Sequence, residues 1–163
     1  MSDAGTTLHL PCPDATAAFA RALAPRLQPG DTLLLSGDLG SGKSHFARAA
    51  ILARLAAPED VPSPTYTLVQ TYADTAGTEI WHADLYRLGD VAEIEELGLS
   101  GALETAICLI EWPDRLGPLS PLGAMHLTLT PTGAQARNLD LRWRDPRWHD
   151  RLAGLVPAAG ATP

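Results

Sequence analysis

A glycine-rich stretch between residues 37 and 44 contains the residue types that bind phosphate. In order, it consists of Gly37, Asp38, Leu39, Gly40, Ser41, Gly42, Lys43 and Ser44. This order fits the pattern G-x-x-x-x-G-K-[ST], in which backbone N–H groups and a helix N-terminus converge on one anion. We expect Lys43 to neutralise the β- and γ-phosphates of a nucleotide, and the Ser44 hydroxyl to bind Mg²⁺.

Two carboxylates can complete such a site for hydrolysis or phosphoryl transfer. Glu111 ends the apolar run 106–111, whose continuous hydrophobicity is typical of a buried parallel strand. We expect Glu111 to bind Mg²⁺, directly or through water. Asp84 ends a less regular strand and is the candidate to orient or deprotonate the attacking water. Either carboxylate could instead cap the turn that follows its strand.

A third candidate lies in the stiff, proline-containing segment 61–65. In switch-type nucleotidases such a segment supplies a hydroxyl to the γ-phosphate and the metal, and Thr65 could act in this way. A simple turn at Ser63-Pro64-Thr65 is an equally good interpretation. The candidate catalytic residues are therefore Lys43, Thr65, Asp84 and Glu111.

Other charged residues are less specific. Three arginines could neutralise phosphate charge, although a surface position is the default for each: Arg87, Arg115 and Arg137. Three histidines show no metal-ligand spacing: His45, His82 and His126. The guanine-reading pattern N/T-K-x-D needs a lysine, but Lys43 is the only lysine in the sequence. Adenine is therefore the favoured base.

The elements around these residues indicate an α/β fold. Strands are predicted at 8–10, 32–36, 66–72, 79–84, 106–111, 125–130 and 138–143. Helices are predicted at 14–24, 45–56, 90–98 and 146–155. Strand 32–36 leads into the glycine-rich loop and helix 45–56 follows it, which predicts a three-layer α/β/α sandwich around a mostly parallel, mixed sheet. We expect one nucleotide-binding domain over residues 1–145, followed by a short helix and flexible tail over 146–163.

Composition narrows the functional class. The chain has 163 residues, 45% of them hydrophobic, and a formal net charge of −7. Because nucleic-acid-binding surfaces are usually basic, direct binding of nucleic acid by this chain alone is disfavoured. No apolar run approaches membrane-spanning length and no signal peptide is recognisable, so we expect a cytoplasmic location without membrane contact. Cys12 and Cys108 offer neither a disulfide framework nor a metal site.

Five motifs in this order resemble a known family over about residues 8–143. They are the loop 37–44, Ser63-Pro64-Thr65-Tyr66-Thr67-Leu68-Val69, His82-Ala83-Asp84-Leu85-Tyr86-Arg87-Leu88, Glu95-Glu96-Leu97-Gly98 and Ile110-Glu111-Trp112-Pro113. Together they are similar to the bacterial TsaE (YjeE) family, the ATPase component of tRNA threonylcarbamoyladenosine synthesis. The resemblance implies a small P-loop ATPase that binds ATP and Mg²⁺ and has low activity unless bound to partners.

The resemblance also implies partners. They are the TsaD and TsaB subunits, whose complex transfers a threonylcarbamoyl group to the adenosine next to the tRNA anticodon. This chain would not perform the transfer, and its ATP hydrolysis would reset or license the complex between turnovers. It would reach tRNA only indirectly, through that complex.

The same resemblance assigns site residues. Ser44 and Glu111 would hold Mg²⁺, and Asp84 would support hydrolysis. Thr65 would belong to a switch-like loop. The expected nucleotide-binding residues are Gly37, Asp38, Gly40, Ser41, Gly42, Lys43, Ser44 and His45, with Thr16 and Gly133 near the nucleoside.

The sequence departs from the family pattern at His45, where a second Thr or Ser is usual. A backbone N–H contact to phosphate survives that change, whereas a side-chain hydroxyl contact does not. The segment 143–148 and the tail match no family feature. Two other functions stay open: a small-molecule kinase with the same loop, and a nucleotide-sensing module that does not hydrolyse. The acidic stretch after Asp84 disfavours a kinase with a phosphorylated acceptor.

Overall fold

Seven strands form one mixed sheet in the computed structural model, which describes residues 3–55, 57, 59–62, 64 and 68–156. The strands are β1 (Ala4–Leu10), β2 (Thr32–Ser36), β3 (Val69–Ala73), β4 (Glu79–Asp84), β5 (Ile107–Glu111), β6 (Met125–Pro131) and β7 (Arg137–Trp143). Their order across the sheet is β1-β7-β6-β2-β5-β4-β3. The four central strands β6, β2, β5 and β4 are parallel, and the pairs at both edges are antiparallel.

Helices cover both faces of this sheet. They are α1 (Pro13–Leu23), α2 (Lys43–Arg54), α3 (Ala92–Glu96), α4 (Leu99–Thr105) and α5 (Arg147–Leu152), with 3-10 helices at Ala24–Arg26 and Pro113–Leu119. Phe19 of α1, Phe46 of α2 and Trp148 of α5 belong to one buried cluster, whereas Ile94 of α3 and Leu99 of α4 belong to another. The predicted three-layer α/β/α fold with a mixed sheet is therefore confirmed.

Strand alternation separates the two cores. In β2, Leu33 and Leu35 join the cluster under α1 and α2, while Leu34 joins the cluster under α3 and α4. Successive side chains of a strand point to opposite faces, so a strand covered on both sides must be apolar throughout. Every residue of β5 is buried for this reason, as the sequence predicted for 106–111.

Several predicted boundaries were wrong. β1 begins at Ala4 and not at residue 8, because alternate residues of β1 are exposed and its pairing with β7 extends to Ala4. The expected helix stop at Gly98 is confirmed by its left-handed backbone (φ 79°), but α4 begins immediately afterwards and was not predicted. The 3-10 helix Pro113–Leu119 was missed as well. The predicted strand 66–72 falls partly outside the described residues, and the observed strand β3 begins at Val69, after the bend at Leu68.

The C-terminal helix α5 packs against the body of the protein. Trp148 is fully buried, and its indole N–H donates to the Gly123 carbonyl at 2.8 Å. Arg151 reaches the buried carboxylate of Asp31, with Nε 2.8 Å from Oδ2. The tail 157–163 lies outside the described residues. None of the helices in the described part of the chain is long and apolar enough to cross a membrane.

Candidate functional site

The glycine-rich loop connects the end of β2 to the start of α2. At Gly37, where φ is 145°, an added Cβ would lie 2.5 Å from Ser41 Oγ and 2.7 Å from the Leu129 carbonyl oxygen. Only glycine fits such a contact. Gly42 precedes α2 with a left-handed backbone (φ 107°), and Ser41 between them is fully buried. The loop is therefore a packed structure with a defined path.

Lys43 is buried inside this loop. Its Nζ donates to the carbonyl oxygens of Gly37 at 2.6 Å and Asp38 at 2.9 Å, and lies 4.4 Å from the centroid of the Trp112 ring. Burial lowers the pKa of Lys43, an effect that the negative charges of Glu111, Asp84 and Asp38 oppose. The hydrogen-bond acceptors of Lys43 are neutral, which leaves its positive charge for an anionic ligand.

Glu111 and Ser44 meet directly below the loop. Glu111 is 2% exposed, and the Ser44 hydroxyl donates to its two carboxylate oxygens at 2.9 and 3.1 Å. Neighbouring ligands of an octahedral Mg²⁺ with bonds of 2.0–2.1 Å lie about 2.9 Å apart. The Ser44 and Glu111 oxygens thus fit Mg²⁺ either as adjacent ligands or with Glu111 acting through water.

The donor set also suits Mg²⁺. The described residues contain no group of three or more His, Cys, Asp or Glu side chains placed to hold a metal by themselves. Mg²⁺ does not require such a group, because it is usually held by one or two carboxylates together with substrate phosphates and water. A metal at Ser44 and Glu111 would therefore depend on a bound phosphate.

Asp84 lies beside Glu111 in the sheet. The two residues are register partners at the ends of the parallel strands β4 and β5, and both are buried. Asp84 Oδ1 also accepts the Tyr86 backbone N–H at 3.0 Å, so it caps the turn after β4 as the simpler interpretation expected. Both carboxylates nevertheless face a cavity of about 290 Å³. Its lining residues are Leu39, Gly40, Gly42, Lys43, Ser44, His45, Asp84, Glu111 and Trp112.

A second cavity of about 260 Å³ adjoins the first. Its lining residues are Pro13, Thr16, Gly42, His45, Gln135 and Arg137. The two cavities are adjacent, since Gly42 and His45 line both of them. Thr16 lines the second cavity, whereas Gly133 is outside its lining. Gln135 takes that place and was not among the predicted residues, because it stands in a turn with no motif.

The His45 side chain is held by a hydrogen bond to the start of α1. Its Nε2 lies 2.9 Å from the Pro13 carbonyl oxygen, which can only accept a hydrogen bond, so Nε2 donates. This contact links the start of α2 to the start of α1. His45 at this position is therefore compatible with a backbone N–H contact to phosphate.

Arg137 supports the loop from outside. Its Nε donates to the Ser41 carbonyl oxygen at 2.9 Å and its Nη2 to the Gly40 carbonyl oxygen at 3.3 Å. These contacts occupy the carbonyl oxygens of Gly40 and Ser41 and hold the loop against β7. Arg115 is further away and donates to the Leu88 carbonyl oxygen at 3.3 Å.

His82 was also missed by sequence reasoning, which considered it only as a metal ligand. His82 is 1% exposed, and its Nε2 lies 2.7 Å from Glu111 Oε2. A usable signal was present, because His82 is two residues before Asp84 and strand alternation puts both on the same face. Thr65 and Ser63, in contrast, lie outside the described residues, and the switch-like role stays a prediction.

Comparisons with known proteins identify the family of this chain. A family model described as "Threonylcarbamoyl adenosine biosynthesis protein TsaE" matches residues 10–139. The tRNA threonylcarbamoyladenosine biosynthesis protein TsaE of Rickettsia bellii is 42% identical over 114 residues, 70% of this chain and 78% of that protein. The protein of the same name from Bacillus subtilis is 33% identical over 128 residues, 78% of each chain.

The fold has a counterpart among solved structures. The crystal structure of Bacillus subtilis YdiB matches with a TM-score of 0.76 at 23% identity, covering 95% of this chain and 96% of that one. At this identity the likeness concerns the fold, while the family model and the curated relatives carry the assignment. The chain therefore belongs to the TsaE family.

Proposed function

We propose that this chain binds Mg²⁺ and ATP, hydrolyses ATP, and thereby serves the biosynthesis of threonylcarbamoyladenosine in tRNA. The contact between Ser44 and Glu111 carries the proposal, because it puts a hydroxyl and a buried carboxylate 2.9 Å apart next to Lys43. The curated relatives are named for the tRNA modification, which supplies the biological process.

Each residue has a distinct role in the proposed reaction. The loop N–H groups and Lys43 bind the phosphates, since catalysis of phosphoryl transfer rests mainly on positioning and charge stabilisation. Mg²⁺, held by Ser44 and Glu111, would neutralise charge on the β- and γ-phosphates. Asp84 orients the attacking water and accepts its proton as the water oxygen bonds to the γ-phosphorus, while the bond from that phosphorus to the bridging oxygen breaks and ADP leaves with the electron pair.

Adenine is the proposed base, and its pocket is the second cavity, lined by Thr16, Gln135 and Arg137. That cavity lies next to the phosphate region, since Gly42 and His45 line both. The absence of the guanine-reading pattern supports the same choice.

The proposed partners are the TsaB and TsaD subunits. A formal net charge of −7 makes this chain a poor ligand for tRNA by itself, since nucleic acid selects basic surfaces. We therefore propose that it acts on tRNA modification only through the protein complex.

ATP turnover, measured with the chain alone and with TsaB–TsaD, tests this proposal. We expect slow Mg²⁺-dependent release of phosphate that increases when the partners are added. Transfer of phosphate to a small-molecule acceptor would instead identify a kinase. ATP binding without turnover in either setting would identify a nucleotide-sensing module.

A further inference from the structure

The buried imidazole of His82 contacts the carboxylate of Glu111 and does not line the cavity that Glu111 faces. We propose that His82 is a positioning residue that fixes the Glu111 carboxylate for the metal that accompanies the nucleotide. This inference rests on the proposed function, because it concerns the same Mg²⁺·ATP site. The roles proposed above include none for His82.

The hydrogen bond determines the direction of the interaction. His82 Nε2 and Glu111 Oε2 are 2.7 Å apart, and both side chains are almost fully buried. An ionised carboxylate only accepts hydrogen bonds, so Nε2 must carry the hydrogen. The hydrogen bond thus fixes both the tautomer and the orientation of the ring.

Because of this hydrogen bond, the two carboxylate oxygens of Glu111 have different partners. Oε2 accepts from His82 at 2.7 Å and from Ser44 at 3.1 Å, whereas Oε1 accepts from Ser44 alone, at 2.9 Å. Oε1 therefore keeps acceptor capacity toward the cavity. Groups that hydrogen-bond a metal-binding side chain from behind restrict its orientation and typically change metal affinity by 10–100-fold when removed.

His82 does not act on the ligand itself. It is absent from the residues that line the 290 Å³ cavity, and its one free ring nitrogen, Nδ1, is buried without a hydrogen-bond partner among the described residues. A metal ligand or a general base would need a nitrogen facing the cavity. Any effect of His82 on the reaction must therefore pass through Glu111.

A structural role alone would be met by any side chain that fills the same volume. The two roles separate because an apolar residue can fill the volume but cannot donate to Glu111. Without the His82 donor, Ser44 alone would orient the Glu111 carboxylate, and Ser44 is itself a proposed ligand of the metal. The proposal thus predicts a loss that is specific to the metal.

The test compares three variants in one binding experiment. His82→Gln keeps an amide N–H near the position of Nε2, His82→Asn carries the same amide one methylene shorter, and His82→Leu has no donor. Binding of Mn²⁺ in the presence of ADP is followed by electron paramagnetic resonance. ADP affinity in EDTA is the metal-free reference, and thermal unfolding without ligand checks the fold.

We expect His82→Leu and His82→Asn to weaken Mn²⁺ binding by about 10–100-fold while ADP affinity in EDTA stays unchanged. His82→Gln should stay within a few-fold of the wild type. If His82→Leu does not fold, the comparison of His82→Asn with His82→Gln decides. Equal metal affinity in folded variants and wild type would overturn the inference, as would equal losses in His82→Gln and His82→Asn.

The same experiment distinguishes the two proposals. A wild-type chain that shows no metal-dependent nucleotide binding contradicts the proposed function itself. A wild-type chain that binds Mn²⁺ with ADP, together with variants that bind equally well, contradicts only the role of His82.

Discussion

Two buried carboxylates lie at opposite ends of the central parallel strands and have different surroundings. Asp31 precedes β2, is 1% exposed, and accepts from Arg151 Nε at 2.8 Å, from Arg147 Nη1 at 3.4 Å and from the Gln28 N–H at 2.8 Å. Glu111 ends β5 and accepts only from Ser44 and His82 among the described residues.

The difference separates the structural charge of Asp31 from the charge of Glu111, for which we propose a functional role. A buried charge is costly unless it is paired or binds a metal. Two arginines meet the negative charge of Asp31, and the result links α5 to the sheet. In the part of the chain that the structure describes, no arginine or lysine forms an ion pair with Glu111. The charge of Glu111 therefore stays available for a cation that arrives with the nucleotide.

The largest expected effect is the loss of stability when the ion pairs of Asp31 are removed. Asp31→Ala should lower the free energy of unfolding by about 3 kcal/mol, near the lower limit for breaking a buried ion pair, because the arginines keep some access to water. Chemical denaturation measures this loss. At a temperature where the variant is folded, ATP affinity should equal that of the wild type, and a parallel loss of ATP affinity would contradict the separation of the two ends.

The converse change, Glu111→Ala, should affect activity and leave the fold intact. We expect Mg²⁺-dependent turnover to fall by about 100-fold or more, while ATP binding changes less. The loss of stability should be smaller than in Asp31→Ala, because Glu111→Ala leaves no arginine unpaired, although the buried His82 N–H loses its acceptor. Steady-state phosphate release measures turnover. If the rate is unchanged, Asp84 becomes the better metal candidate.

A smaller effect is expected at Arg137, whose side chain donates hydrogen bonds to carbonyl oxygens of the loop and not to Asp31 or Glu111. Arg137→Gln should weaken ATP binding by about tenfold, equivalent to about 1.4 kcal/mol, because the Gly40 and Ser41 carbonyls lose their donors. Calorimetric titration measures the affinity. The matched control is Arg142→Gln, at an exposed position of the same strand, and an equal loss in both variants would exclude a specific role for Arg137.

The smallest expected effect is a pH dependence of the free energy of unfolding, which arises at Asp145, the partner of Arg147. Hydrogen bonds from the Arg147 side chain and backbone N–H lower the pKa of Asp145 below its ordinary value of 3.8. The folded chain thus holds this proton less tightly than the unfolded chain does. The resulting stability is present above pH 3.8 and is lost as the pH falls through the folded-state pKa.

Denaturation at several pH values tests this contribution, which should be about 0.5 kcal/mol since the pair is partly exposed. The control Asp145→Asn should remove this part of the pH dependence. An unchanged pH profile in that variant would show that Asp145 contributes nothing.

Local signals in the sequence predicted the loop and the strand ends. The loop pattern needs only eight consecutive residues, and β4 was predicted with its observed bounds, Glu79–Asp84. The expectation that Asp84 and Glu111 both end strands is confirmed, and the structure adds that they are register partners. These features follow from periodicity and turn chemistry, which act over short distances along the chain.

Contacts between distant segments could not be predicted in the same way. Arg137 and Ser41 are 96 positions apart and meet because β7 pairs with β6, which pairs with β2. Asp31 and Arg151 are 120 positions apart. Such contacts depend on strand order, which residue patterns alone do not determine. The role of His82 depends on the same packing, because it requires β4 to lie next to β5.

The binding of ATP to the wild type and to Lys43→Ala, measured by calorimetry with Mg²⁺ present, tests the central claim most directly. Thermal unfolding of the ligand-free proteins verifies that both are folded. The account predicts that the wild type binds ATP and that the variant does not, because Lys43 is the cation inside the loop. ATP affinity of wild-type strength in the folded variant would contradict the assignment of the site.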